Sequence, residues 1–171
     1  MTEDASVAMH PTALSVSKSI TVNSSIDKCF ETFTAGIDSW WPREHHVGDS
    51  PMKEMIMELK VGGRCYAVRE DGTESPWGHV LAYEPPSRLV VSWELTAEFA
   101  YDESFVTEVE VTFTSQGPDQ TLVELEHRNL ERYAEAKDQV VAMLGSDDGW
   151  GLSLANFAAS AEGRPVPGRS E

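Results

Sequence analysis

Apolar and polar positions follow two different periods along this chain, and the period changes twice. Residues 14–22 alternate and are rich in Ser, Val, Ile and Thr, which predicts an opening strand. Asn23, Ser24 and Ser25 come next, short side chains that can accept hydrogen bonds from the free N–H groups of a helix's first turn. Ile26, Cys29, Phe30 and Phe33 then recur at helical spacing, with Gly36 placed to end that helix. Ile37, Trp40 and Trp41 predict one more short helical turn before Pro42 stops it.

Beyond this point the period is that of strands. Residues 52–59, 64–69, 77–83, 89–95, 105–114 and 121–127 each read as a strand, separated by the turn residues Gly62-Gly63, Asp71-Gly72, Pro85-Pro86 and Gly117-Pro118. In VTEVEVTF the residues Val109, Val111 and Phe113 fall on one face, opposite Glu108, Glu110 and Thr112. VELEH repeats the alternation, setting Val123, Leu125 and His127 against Glu124 and Glu126, so one face of the sheet is wet. From Glu131 the helical period returns in Tyr133, Ala136, Val140, Val141 and Leu144, is interrupted by GSDDG, and resumes from about Asp148 with Trp150, Leu154, Phe157, Ala158 and Ala161.

This order predicts an α+β fold: a strand, two short helices, a six-stranded antiparallel meander and a long helical C-terminus. The apolar face of such a sheet must be covered, and the C-terminal helix is the element long enough to do it. A single domain is expected over residues 14–162, with flexible ends at 1–13 and 163–171, where Pro, Gly and polar residues lack an apolar period.

Charge narrows the choice of partners. With 29 acidic against 13 basic residues the formal net charge is −16, which repels phosphate backbones and anionic lipid, so nucleic acid is not an expected partner. No basic start leads into an apolar run and no window reaches the length of a membrane span, so a cytoplasmic protein is expected. Cys29 and Cys65 belong to no Cys/His array and read as buried thiols, and no metal or other cofactor is expected.

Several short motifs in order carry a resemblance: Trp40-Trp41-Pro42, GGRCY at 62–66, EDGTE at 70–74, WGHVLAYEPPSRLVVSW at 77–93, LEHR at 125–128 and Gly149-Trp150. Together they resemble the family named for the activator of the ninety-kilodalton heat-shock chaperone ATPase, within the START-like, birch-pollen-allergen-like (SRPBCC) superfamily. The resemblance implies a helix-grip fold, in which a curved antiparallel sheet wraps around the C-terminal helix and leaves a cavity between them. It also implies a hydrophobic or amphipathic small-molecule ligand, while some relatives are enzymes. A homodimer and a chaperone partner stay open, although no chaperone-docking segment is recognisable. Cys65 stands where the family commonly has tryptophan, which implies extra room if that position faces the cavity.

Candidate chemistry is sparse. In GIDSWWPREHHVG, residues 36–48, His45 and His46 are adjacent, so they point apart and do not naturally chelate one ion; they read as loop histidines at a cavity mouth. No GxSxG elbow, phosphate-binding glycine loop or dinucleotide fingerprint occurs. Trp77, His79, Leu81 and Tyr83 are in phase on one strand, and Leu89, Val91, Trp93 and Leu95 on the next. Trp41, Trp77, His79, Tyr83, Trp93, His127 and Trp150 are therefore the candidate lining of a ligand cavity, with rings for apolar area and His79, Tyr83 and His127 for orientation. Three functions compete. The first is non-enzymatic binding of a small hydrophobic or aromatic molecule; the second is a cyclase- or hydrolase-type enzyme using His127 or His79 with a carboxylate such as Glu54, Glu58 or Glu74. The third is a co-chaperone-like adaptor with an exposed apolar patch. Residues 97–104 are a candidate lid.

Overall fold

A computed structural model describes residues 14–42, 52–98, 100–147 and 149–166. Strand β1 (Ser15–Val22) leads to helix α1 (Ile26–Phe33), capped by Ser25, whose Oγ accepts from Lys28 N–H at 3.2 Å. A 3-10 turn, Ile37–Ser39, follows. Strands β2 (Met52–Met57), β3 (Arg64–Arg69), β4 (Glu74–Glu84), β5 (Arg88–Trp93), β6 (Thr107–Gly117) and β7 (Gln120–Arg128) come next. The chain then makes a 3-10 stretch, Leu130–Ala136, and two helices, α2 (Lys137–Gly145) and α3 (Trp150–Ala161).

All seven strands form one antiparallel sheet in the order β1-β7-β6-β5-β4-β3-β2. The alternation read from the sequence holds in its centre: Leu89, Val91, Trp93, Val109, Val111, Phe113, Val123 and Leu125 are all buried in one core. Helix α3 lies against β1 and α1 and brings Trp150, Leu154 and Phe157 into that core. On the other face Arg128 pairs with Glu108, Glu110 and Glu126, and Arg88 pairs with Glu84 and Glu110. These two arginines offset part of the repulsion among the glutamates in rows, and they hold the Glu110 carboxyl below the usual carboxylate range.

The helical C-terminus breaks at GSDDG as the sequence predicts: α2 ends at Gly145, and α3 starts afresh after Gly149. Gly149 is required there, because a Cβ would lie 2.4 Å from Met143 O and 2.5 Å from Leu144 O. Two local features depart from the sequence reading, and the first is the stretch before α2, which fails to become α-helix because Ala134 takes φ 55° and ψ −117°, a conformation that glycine adopts far more readily. Ala134→Gly should therefore stabilise the protein by about 1 kcal/mol and raise Tm by about 2–4 °C, as read by thermal unfolding. An unchanged or lower Tm would show that this turn is not strained.

The second departure is in β4. Its register shifts against β3 between Cys65 and Tyr66, and against β5 between Val80 and Ala82. Each irregularity breaks the two-residue period. Trp77 and Val80 consequently enter the core, whereas His79 pairs across from Arg64 on the outer face and Leu81 is 41% exposed. His79 and Leu81 do not share a face with Trp77.

Candidate functional site

Five of the seven candidate residues meet at one end of the core. Trp41 stacks on Trp77 with ring centroids 5.5 Å apart and planes 23° from parallel. Trp93 lies 5.6 Å from both Trp77 and Trp150, 6.4 Å from Trp41 and 5.2 Å from the imidazole of His127. Different elements deliver each ring: Trp77 from β4, Trp93 from β5, His127 from β7, Trp150 from the first position of α3, and Trp41 from the turn after α1. That turn is held against β2 by Met55 N–H, which donates to Asp38 Oδ1 at 2.8 Å. Tyr83 sits apart, beside Phe30 at 5.6 Å, and His79 is outside the core. His45 and His46 lie outside the described residues.

Hydrogen bonding fixes the state of His127. Indole N–H can only donate, so Trp150 Nε1 donates to His127 Nδ1 at 3.1 Å, and the neutral ring must carry its proton on Nε2. That proton is directed to Thr107 Oγ1 at 2.8 Å, and the Thr107 hydroxyl donates onward to the Trp93 carbonyl. Burial lowers the His127 pKa to about 3, so the ring is neutral at ordinary pH. Its Nδ1 lone pair is occupied, and a proton added there would oppose the Trp150 N–H. This imidazole locks β7 to β6 and α3; its two ring bonds go to a threonine and a tryptophan, not to a carboxylate. Close by, Tyr133 Oη donates to Leu95 O at 2.8 Å, and burial pushes that phenol up to about 12.

Among the described residues the His–carboxylate pair is elsewhere. His79 Nδ1 is 2.9 Å from Glu94 Oε2, and Ser92 Oγ donates to the same oxygen. Alternation from Val91 and Trp93 puts Ser92 and Glu94 on the outer side of the sheet, yet Glu94 is only 4% exposed. Burial, followed by the Glu94 charge, raises the pKa of the adjacent Tyr101 phenol. Of the carboxylates suggested as partners, Glu58 and Glu74 both pair with Arg64, and Glu54 is exposed on β2.

Cys65 does face inward and is fully buried, across from Met57 on one side and Gly78 on the other, and burial raises its thiol pKa. Trp77 fills space near this edge and donates from Nε1 to Met55 Sδ at 3.0 Å. Trp40 is a core residue, with Nε1 donating to Thr32 O at 2.9 Å and its ring against Phe33 and Phe157. Three clefts lined by described residues, of about 400, 330 and 310 Å³, lie on the outside. The largest is an acidic groove across β1, β7 and β6 between Lys18, Glu110, Glu124 and Glu126. Among the described residues no three His, Cys, Asp or Glu side chains gather as a metal site. No described helix is long and apolar enough to cross a membrane.

A curved antiparallel sheet closed by a C-terminal helix, with an aromatic interior between them, defines a helix-grip α+β protein. Residues 23–162 match the profile of the family described as activator of Hsp90 ATPase homolog 1-like protein, and the chain belongs to that family. Among solved structures it is similar to Txn09, an anthrahydroquino-γ-pyrone synthase complexed with a molecule designated SUM. The identity is 32%, the TM-score 0.60, and the match covers 88% of this chain and 99% of that one. CalC, a self-sacrificing resistance protein from Micromonospora echinospora, is 28% identical with a TM-score of 0.64, covering 87% of this chain and 94% of its own. The Aha1 dimer from Colwellia psychrerythraea shares the fold at 14% identity, TM-score 0.58, with 92% and 99% covered. No curated protein sequence gives a significant match.

Sequence reasoning did not find Thr107, Glu94 or Asn156. Thr107 and Glu94 carried no signal beyond being polar residues within or beside strand patterns. Asn156 carried one, because it interrupts the apolar run LANFAA of α3.

Proposed function

We propose that this protein binds a small, largely apolar aromatic molecule at the indole cluster, between the sheet and α3. The observation that carries this reading is the convergence of Trp41, Trp77, Trp93 and Trp150 from four separate elements onto one site. Indoles offer flat apolar faces to a flat apolar partner, and Trp41 and Trp77 already adopt the near-parallel arrangement that an inserted ring would continue. The rings touch one another, so binding requires Trp41 to part from the others. Trp41 is the ring best placed for this, because it sits on a turn and not on the sheet. The similarity to a synthase named for an anthrahydroquinone-derived pyrone supports an aromatic ligand class.

Binding is preferred over acid–base catalysis because the two halves of a catalytic pair are separated. The interior His127 bonds to Thr107 and Trp150, and the carboxylate-paired His79 faces outward. Titration with planar aromatics such as naphthalene derivatives should quench or shift tryptophan emission saturably. Trp41→Ala should weaken that binding by about tenfold, the loss of one stacked ring. Affinity unchanged in Trp41→Ala would remove the site from this position.

A further inference from the structure

We propose that Asn156 is the polar anchor of this site and selects ligands carrying a hydroxyl or N–H donor on the aromatic body. The proposal rests on the aromatic-ligand reading above and adds the ligand's polar chemistry to it. Asn156 is only 1% exposed, and it lies on α3 in a polar stripe with Ser153 and Ser160, spaced three and four residues apart. The stripe faces the turn that carries the two tryptophans. Ser160 Oγ lies 2.7 Å from Ser39 Oγ, and Asn156 Nδ2 donates to Trp40 O at 3.2 Å.

That second bond determines which way the amide points. A backbone carbonyl only accepts, so the Asn156 NH2 must face Trp40 O, and the flipped amide would set two oxygens against each other. Oδ1 therefore points away from Trp40 O, and this buried acceptor has no hydrogen-bond partner. Buried side-chain acceptors are nearly always paired, so one left over inside a folded domain marks a place where a donor is missing. Its location fits the ligand site. The Trp40 carbonyl that holds Asn156 is bonded directly to Trp41, and Trp41 packs edge-on against Trp150 at 6.4 Å, on the same helix as Asn156.

The chemistry of the missing group follows from the atom left open. An amide oxygen accepts from a neutral hydroxyl or N–H and repels a carboxylate or phosphate oxygen. The chain's net charge of −16 disfavours anions further. The ligand class is accordingly a phenol-like or N–H-bearing aromatic, oriented with its donor toward α3.

Two probes that differ only at the donor test this: 2-naphthol and 2-methoxynaphthalene, titrated by calorimetry into the wild-type chain and into Asn156→Leu. Wild type should bind 2-naphthol about tenfold tighter, and the variant should reduce that preference to about twofold or less by weakening 2-naphthol alone. Should Asn156→Leu fail to fold, the Asn156 side-chain NH2 signal of labelled wild type gives an independent reading. It should shift with 2-naphthol and stay in place with the methyl ether. Equal affinities in wild type, a preference that survives the variant, or an unmoved Asn156 signal each overturn the proposal while leaving the aromatic site intact. Binding of neither probe overturns the aromatic-ligand reading itself.

Discussion

Taking the wild-type protein from pH 7.5 to pH 5 should lower its unfolding free energy by about 2 kcal/mol, through His127 alone. The folded ring has a pKa of about 3 against 6.5 for the free side chain, because it is buried in neutral form between Trp150 and Thr107. The unfolded chain therefore binds a proton in this window that the folded chain does not, and stability falls as pH falls. The loss begins near pH 6.5 and levels off below about pH 3, where both states are protonated, at a total of about 5 kcal/mol. Glu110 and Glu162, whose pKa values are lowered by Arg88 and by the Asn23 N–H respectively, add their own losses only in more acid solution. The interval above pH 5 thus lies above the range of these carboxylates, and the difference from a His127 variant gives the His127 contribution. Denaturant unfolding at a series of pH values reads it, with His127→Gln as the comparison. The variant should start about 2–4 kcal/mol less stable and show a much flatter profile over this interval. A flat wild-type profile between pH 7.5 and 5 would mean that His127 is not held neutral in the interior.

Gly78→Ala should be the most damaging single methyl group that can be added to the sheet. A Cβ at this position would lie 1.9 Å from Ser92 O and 3.0 Å from Ser92 C, which are backbone atoms of the adjacent strand and cannot swing aside. Strands β4 and β5 would have to separate where His79 N–H donates to Ser92 Oγ and where Trp77 meets Trp93 at 5.6 Å. About 3 kcal/mol or more of stability should be lost, together with part of the indole cluster's mutual quenching. Gly151→Ala is the control, because its Cβ would meet only Ser146 O at an ordinary 3.5 Å and would favour the helix, giving a change of about 0.5–1 kcal/mol in the stabilising direction. Comparable stability for wild type and Gly78→Ala would contradict the close approach of these two strands.

The strands and their inward faces were legible because β5, β6 as far as Ser115, and β7 from Thr121 keep a two-residue period in side chains of clear polarity. Strand β4 shows the limit of that signal. WGHVLAY alternates plausibly on paper, but two register shifts absorb residues and send His79 outward while Trp77 and Val80 turn in. Nothing in the local sequence announces a bulge whose cause is the pairing on both sides. The continuous helix expected from Glu131 failed for a similar reason: Ala134 is an excellent helix former by propensity and is nonetheless held at a positive φ. In the candidate site, the role of His127 depends on Trp150 and Thr107, 23 and 20 residues away, so its phase was readable but its partners were not. Asn156 was overlooked because a single polar residue on a helix is ordinarily solvent-facing, and only the tertiary packing makes it buried and half-paired.

The most direct test of an aromatic-ligand site is to expose the purified wild-type chain to a cell extract, remove unbound material, denature it and identify by mass spectrometry what is released. Wild type should retain one dominant apolar aromatic molecule, and Trp41→Ala processed in parallel should retain much less. A wild-type protein that comes out empty, with no thermal shift across a panel of aromatic compounds, would contradict the account and identify the indole cluster as packing alone.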